Sequence, residues 1–437
     1  MRAVVESMEP RRHFASGTIL FVRGADRSGG FLEATNDTQR TEQLADINNR
    51  STAGGNHGWA SLASLLRGEG YTIRQIAEPL ERNAPSTGQT TGRAIAFEDL
   101  DLTQYAAVVM ASNNAAYGRT QVDALDRYVR DGGGVLFVSD GNFGSSWADA
   151  PASDNVFLAR YGMAFNQDSG QYALRRSAGD FVDAKNPVLI GVNAFDGEGV
   201  SPVRLAATPP GGVVVRRVVG ARGTTFDNNP ASTANNSRGR SRTVDSRDAS
   251  LVLASAGTGR VAAYFDRNTF FNSNGAGTDI TKNDNRQFAR NLFNWVADRT
   301  PPAVTASDFR QGSQSLLTFR LDDNLLGTLT RDDIRLRHRR TGAAIAGRDW
   351  SLSLVEGNGF TDVTIRISRD AQPGPYQLQI PRRALADDSG NVRGGAIRYA
   401  FTIVRPAATT AMAARVVTPS PFTQFENGFG WTGLWDE

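Results

Sequence analysis

The side chains most often used for nucleophilic and acid–base catalysis are scarce in this chain. Its 437 residues include no cysteine and three histidines, His13, His57 and His338. The missing thiol excludes cysteine nucleophiles, thiolate metal sites and disulfides. A serine hydrolase would need a histidine beside its serine. His13 lies near the N-terminus and His338 in a separate C-terminal region, so His57 is the one candidate base.

A set of polar residues follows three predicted strands. Two of them lie between the first strand and its helix, two follow the third strand and two follow the fourth: Asn56, His57, Ser112, Asn113, Asp140 and Asn142. Adjacent parallel strands end at one edge of a sheet, where ligands bind, so we expect these residues to lie near each other. Backbone N–H groups after Asn56 could also hold an anion. For His57 alone, the simpler interpretation is a helix-start residue bonded to a neighbouring loop.

The serines near the fourth strand do not have the context of a nucleophile. Ser139 and Ser145 both lack the Gly-x-Ser-x-Gly pattern that strains and exposes a catalytic serine. The remaining amide, hydroxyl and carboxylate groups suit recognition of a hydroxyl-rich ligand better than covalent chemistry. We therefore expect a carbohydrate or another polar ligand. The alternative is a hydrolase or carbohydrate-processing enzyme that uses the crevice around His57 and Asp140.

Oxygen-rich loops offer weaker candidates for a metal. Asp279 and Asp284 lie in Gly277–Asn285, whose spacing fits no EF-hand, and Asp/Asn turns are common for backbone reasons alone. Paired carboxylates also occur in the predicted loops of the C-terminal region, where calcium is one interpretation and solvated turns are the favoured one: Asp322, Asp323, Asp332, Asp333, Asp387 and Asp388. We expect no metal site and no cofactor.

The elements that would position the candidate site alternate between strand and helix patterns. Apolar runs at 18–22, 71–76, 105–110 and 135–138 predict strands, and helical spacing predicts helices at 59–66 and 122–129. This β-α-β-β-α-β order predicts an α/β fold with a doubly wound, Rossmann-like, mostly parallel sheet. Weaker patterns predict strands at 188–192, 212–219 and 259–265, a mobile loop at 220–247 and a closing helix at 288–297.

A second domain follows Thr300–Pro302, because consecutive prolines favour an extended linker. Six short alternating runs separated by turn residues predict an all-β sandwich, with strands at 316–321, 334–337, 350–354, 363–367, 376–380 and 397–401. The chain is thus predicted to divide into an N-terminal address-like segment (1–16), an α/β domain (17–299), a β-sandwich (300–405) and a flexible tail (406–437).

Composition describes a globular chain with 40% hydrophobic and 21% charged residues. No window approaches 18 consecutive apolar residues, so we expect no transmembrane segment. The net charge is only +3, and lysine occurs only at 185 and 282. As the explanation of the many arginines, coding bias is favoured over a basic binding surface. The arginine-rich segment 216–247 has no interleaved aromatic platform, so we expect no nucleic-acid partner.

The N-terminal segment resembles a known address signature. Met8–Arg11 followed by His13 and Phe14 is similar to the LEPR-XLL segment found on many bacterial surface or exported proteins. The resemblance implies targeting or processing, and with it an extracellular or cell-surface location and contacts with cell-surface proteins. The alternative is an N-terminus without a role.

Residues 18–297 resemble the class I glutamine amidotransferase-like fold, in the branch of trehalose-utilisation-type proteins. The resemblance rests on Tyr105–Met110, Tyr128–Val138 and the closing helix. The family's nucleophilic cysteine follows the strand 135–138, where this chain has Ser139, so cysteine-dependent amidotransferase activity is excluded.

Residues 301–404 are similar to bacterial Ig-like modules, through Leu329–Leu336 and Ala386–Asn391. Together the resemblances imply an exported or surface-associated, non-catalytic binding or structural protein.

Overall fold

The computed structural model describes residues 17–24, 45–50, 58–79, 93–111, 113, 115–139, 149–165, 171–198, 200–221, 225–227, 247–273, 278–312, 314–325, 329–357, 360–387 and 389–404. These residues belong to two compact units that divide between Asp298 and Arg299. The predicted segments 1–16 and 406–437 lie outside the described residues.

The first unit combines strands and helices. Its described strands are β1 (Thr18–Arg23), β2 (Thr72–Ala77), β3 (Tyr105–Ala111), β4 (Gly134–Val138), β5 (Met163–Phe165), β6 (Gln171–Arg175), β7 (Ala194–Glu198), β8 (Val203–Leu205), β9 (Val213–Gly220), β10 (Thr225–Asp227), β11 (Asp248–Ala256) and β12 (Gly259–Tyr264). Its described helices are α1 (Ala60–Gly68), α2 (Arg119–Arg130), α3 (Asp149–Leu158) and α4 (Asn285–Ala297).

The main sheet is mixed, which corrects the prediction of a mostly parallel one. Its strand order is β2-β1-β3-β4-β12-β11-β8-β5, and β9 also pairs with β11. The pairings from β2 to β12 are parallel. Those beyond β12 are antiparallel. The change of direction occurs because β11 and β12 are joined by the two residues Gly257 and Thr258, whereas a parallel pair needs a long crossover.

The parallel half is covered on both faces, as predicted for a doubly wound sheet. Side chains alternate along β1, so Ile19 and Phe21 enter one hydrophobic cluster while Leu20 and Val22 enter another. Apolar residues of α1 and α4 fill the first cluster. Residues of α2 and α3 fill the second. The order β1-α1-β2-β3-α2-β4 is the predicted one, and this part of the fold is confirmed.

The middle of the chain departs most from prediction. The predicted strand at 188–192 is wrong, because Pro187–Leu189 forms a short 3-10 turn whose start is capped by Asn186. The strand at 213–220 and the closing helix are confirmed. A small antiparallel sheet, β10-β6-β7, was not predicted. Most of the predicted loop 220–247 lies outside the described residues, and β10 lies within it.

The second unit is all-β in its described part. Its strands are β13 (Val304–Arg310), β14 (Ser315–Leu321), β15 (Arg335–His338), β16 (Trp350–Gly357), β17 (Phe360–Ile367), β18 (Gly374–Ile380) and β19 (Ile397–Ile403). They form two antiparallel sheets, β13-β14-β17-β16 and β15-β18-β19. Leu317, Ile365 and Leu378 from the two sheets share one hydrophobic cluster. The six predicted strands are confirmed, and β13 is additional.

No helix in the described ranges is long and apolar enough to cross a membrane.

Candidate functional site

Asn113 is the one member of the predicted set whose position the structure describes. It lies just past the carboxyl end of β3 and is fully buried. Asn56, His57, Ser112, Asp140 and Asn142 lie outside the described residues. The site is therefore built here from Asn113 and the side chains around it.

Asn113 belongs to a buried hydrogen-bonded group at the carboxyl edge of the sheet. Its Nδ2 donates to Glu78 Oε1 at 2.9 Å, and the Tyr117 hydroxyl donates to the same oxygen at 2.6 Å. Glu78 follows β2, and its backbone N–H donates to the carbonyl of Arg23 at the end of β1. Tyr117 lies just before α2. The ends of three neighbouring strands and the start of a helix thus bring these side chains together.

A second carboxyl group lies close enough to interact with this group. Asp154 on α3 is fully buried, and burial, followed by the charge of Glu78, raises its pKa well above the usual 3.8. Burial and Glu78 also raise the pKa of the Tyr117 hydroxyl. The arrangement favours a neutral Asp154 and a neutral Tyr117 beside the Glu78 carboxyl group that accepts the two hydrogen bonds.

Aromatic rings hold Tyr117 in place. Its ring stacks on Phe97 with centroids 5.7 Å apart and meets the edge of Phe157 at 4.9 Å. Such contacts fix ring orientation and stabilise beyond simple area burial. The phenol that donates to Glu78 is therefore positioned by packing as well as by its hydrogen bond.

Several polar atoms at this edge have no hydrogen-bond partner in the described part of the chain. They are Asn113 Oδ1, both carboxyl oxygens of Asp154 and the hydroxyl of Ser139, which follows β4. All three residues are buried. Buried polar atoms are normally satisfied, so such a group is a reason to consider a ligand, water or function.

The loop after β12 adds polar groups at the same edge, because β12 runs parallel to β4. The Asp266 carboxylate accepts from the backbone N–H groups of Glu198 at 3.1 Å and Asn268 at 2.8 Å, and from the Thr269 hydroxyl at 3.0 Å. The Thr269 hydroxyl also bonds to that of Tyr264 at 2.7 Å. Asp266 thus holds the loop in a fixed shape.

The weaker metal candidates are engaged with the backbone. Asp279 Oδ1 accepts from the N–H and hydroxyl of Thr281 at 2.7 and 2.6 Å. Asp284 Oδ2 accepts from the N–H groups of Asn193 and Ala194 at 2.8 and 3.1 Å. The two carboxylates therefore cap different stretches of backbone.

Carboxylates in the turns of the second unit also accept hydrogen bonds from backbone N–H groups. Asp322 accepts from the N–H of Ala303, Asp333 from Thr330, and Asp387 from both the N–H and the side-chain amide of Asn391. For Asp322 and Asp333 such contacts fit the favoured interpretation as solvated turn residues, whereas Asp387 is fully buried. Asp388 lies outside the described residues.

Sequence reasoning missed the residues that surround Asn113. Glu78 could have been found, because it follows a predicted parallel strand just as Asn113 does. Asp266 follows the predicted strand at 259–265 for the same reason. Tyr117 and Asp154 had no such signal, since their role depends on how α2 and α3 pack.

The comparisons with known proteins do not assign a family. No protein-family model and no curated protein matches the chain. Among solved structures, the "mmIFT52 N-terminal domain" aligns with 64% of this chain and 97% of its own length, at 14% identity and a TM-score of 0.37.

Two bacterial structures are similar to a comparable degree. A ThuA-like protein from Parabacteroides merdae aligns with 65% of this chain and 90% of its own length, at 13% identity and a TM-score of 0.32. A cytoplasmic protein from Salmonella typhimurium aligns with 64% of this chain and 100% of its own, at 12% identity and a TM-score of 0.34. All three TM-scores lie below 0.5, so these likenesses support no assignment of function.

Proposed function

We propose that the first unit is a non-catalytic binding domain of the amidotransferase-like, trehalose-utilisation-like type, which holds a hydroxyl-rich polar ligand at the carboxyl edge of its sheet. The observation that carries the proposal is the buried polar group of Glu78, Asn113, Tyr117 and Asp154 at that edge. Ligands of open α/β sheets bind in this position.

The chemistry of the edge favours recognition over covalent catalysis. The chain has no thiol. Ser139 is buried and lacks the Gly-x-Ser-x-Gly context that exposes a catalytic serine. Asn113 Oδ1 and Ser139 Oγ are buried atoms without a described hydrogen-bond partner, and under this proposal the hydroxyl groups of a ligand would supply one. A sugar supplies both donors and acceptors in that form.

A calorimetric screen of neutral mono- and oligosaccharides tests the binding role. We expect at least one saccharide to bind the full chain, and Asp140→Ala to weaken it by about tenfold, the equivalent of one charge-assisted hydrogen bond. The matched control is Asp131→Ala, an exposed residue that ends α2 beyond the opposite edge of the sheet. Equal losses of affinity in the two variants would show that the ligand does not bind at the carboxyl edge of the sheet.

We further propose that the second unit is an Ig-like module and that the protein is exported or associated with the cell surface. Two antiparallel sheets around one core support the first part. The resemblance of Met8–Arg11 to the LEPR-XLL segment supports the second. Deleting residues 1–15 should change where the cell places the protein while leaving its melting temperature unchanged. An unchanged location, or a large loss of stability, would contradict the address role.

One observation favours the alternative, a hydrolase or carbohydrate-processing enzyme. The buried Asp154 has a raised pKa, and the Glu78 carboxyl group whose charge contributes to that shift accepts two hydrogen bonds. Pairs of this kind supply the acid and the base in many hydrolases. The alternative would use such a pair together with His57 and Asp140.

A further inference from the structure

The second unit contains a surface cleft of about 390 Å³ with a strongly basic lining. Its walls are Arg335 on β15, Gln379 on β18 and the turn after β18, which contributes Pro381, Arg382 and Arg383. A cleft of this volume is within the range of small-ligand sites. All three arginines are exposed.

These arginines have no partner of opposite charge in the described part of the second unit. Arg335, Arg382 and Arg383 take part in no ion pair or side-chain hydrogen bond with described residues. Elsewhere in the unit, Arg310 pairs with Asp308 and Arg320 pairs with Asp362, each at 2.6 Å. The cleft therefore gathers cations whose charge the surrounding side chains leave uncompensated.

The sheet β15-β18-β19 beside the cleft adds further positive charge. Gln379 pairs in register with Arg335 on one side and with Arg398 on the other. Leu336, Leu378 and Ile397 are buried, so this row of polar residues faces outward. No aspartate or glutamate occurs in β15, β18 or β19. Like charges gathered in this way oppose folding, and an anionic ligand would relieve that cost.

We propose that this cleft binds an acidic saccharide. The arginine guanidinium groups match the geometry of a carboxylate or sulfate and can bind it through two hydrogen bonds. The amide of Gln379 offers a donor and an acceptor to sugar hydroxyls. No aromatic residue lines the cleft among those that the structure describes, so the described walls offer no platform for stacking nucleic-acid bases. This site does not depend on the function proposed for the first unit, since all its residues lie in the second.

Calorimetric titration of the full chain with oligogalacturonate tests the proposal. We expect binding that weakens with added salt, and a loss of about tenfold or more when Arg382→Ala and Arg383→Ala are combined. The matched control combines Arg366→Ala and Arg369→Ala. These are exposed arginines in and just after β17, likewise without a described partner, and outside the cleft. The control should retain affinity within about twofold, because it removes the same charge from another place.

Three further ligands separate an acidic saccharide from other anions. Methyl-esterified oligogalacturonate has the same sugar without the charge and should not bind. Sulfated dextran carries sulfate in place of carboxylate. Whichever of oligogalacturonate and sulfated dextran binds more strongly identifies the preferred acidic group. Poly-glutamate carries carboxylates without hydroxyls and should bind more weakly, while Gln379→Ala should weaken oligogalacturonate and leave poly-glutamate unchanged.

Other outcomes overturn the proposal. Equal losses in the cleft variant and the control would mean that only diffuse charge matters. Equal binding of poly-glutamate, together with no effect of Gln379→Ala, would point to an acidic peptide. If neither oligogalacturonate nor sulfated dextran binds, the proposal that the cleft binds an acidic saccharide is wrong. All substituted side chains except Gln379 are exposed, and unchanged melting temperatures will establish that the variants are folded.

Discussion

At the scale of single residues, the carboxyl edge of the sheet is governed by one shared acceptor. Glu78 Oε1 receives hydrogen bonds from both Asn113 and Tyr117 in a buried environment. The position of Asn113 was predictable, because polar residues after parallel strands meet at one edge. The contacts of Tyr117 and Asp154 were not, because they depend on packing between distant segments.

Removing the Tyr117 hydroxyl should destabilise the first unit. Tyr117→Phe deletes a 2.6 Å hydrogen bond to a buried carboxylate, so we expect a loss of about 1.5–3 kcal/mol in the free energy of unfolding. The control is Tyr128→Phe, whose hydroxyl donates to the neutral carbonyl of Tyr105 at 3.0 Å and should cost about 0.5–1.5 kcal/mol. Denaturant titration measures both. An equal or smaller loss for Tyr117→Phe would show that its hydrogen bond to Glu78 is no stronger than one to a neutral carbonyl.

Asp154 should make stability depend on pH. Its pKa is raised in the folded state, so above the usual value of 3.8 the folded protein holds this proton more tightly than the unfolded chain. This contribution to stability is complete below that value and is lost as pH rises toward the raised pKa. Asp154→Asn removes the ionisable group without a large change in shape.

The comparison of Asp154→Asn with the unsubstituted protein isolates this contribution. The difference in unfolding free energy should shift in favour of the variant as pH rises above about 4. Denaturant titrations between pH 4 and pH 8 measure it. A difference that stays constant with pH would show that Asp154 titrates alike in the folded and unfolded states.

At the scale of elements, the parallel half of the sheet was predictable and the antiparallel half was not. Strands β1, β3 and β4 are continuous apolar runs separated by clear helices, which is the pattern of a covered parallel sheet. Strands β5 and β8 have only three residues each, too few for a periodic signal. The strand pattern also did not indicate that β12 would enter beside β4.

Gly134 shows why the glycine run before β4 matters for packing. A Cβ at this position would lie 2.0 Å from the carbonyl oxygen of Val296 on α4. Gly134→Ala should therefore cost about 1–3 kcal/mol in unfolding free energy, because the helix must move away. Gly211→Ala is the control, since an added Cβ there meets nothing within 4 Å. Similar melting temperatures for the two variants would contradict this close approach.

At the scale of the whole molecule, the chain builds two kinds of core. The first unit buries the two faces of a mixed sheet, and the second encloses a cluster between two antiparallel sheets. The alternation of strand and helix, followed by strands alone, was enough to predict both classes. The likeness of the second unit to Ig-like modules stays a prediction.

The two units should unfold separately. We expect two transitions in calorimetry, and limited proteolysis should cut near Thr300–Pro302 to release a stable fragment that contains residues 304–403. The physical reason is that each unit has its own hydrophobic cluster. A single resistant fragment that spans both sides of the prolines would show that the chain behaves as one cooperative body.

The central claim is that the carboxyl edge of the first unit recognises a ligand without acyl-transfer chemistry. Steady-state turnover of glutamine and of a generic ester by the full chain and by His57→Ala tests it most directly, because His57 is the one histidine in the first unit and a histidine is the usual base in acyl transfer. We predict no turnover above the uncatalysed rate for either protein. Turnover by the unsubstituted chain that His57→Ala abolishes would contradict the claim and establish the enzyme instead.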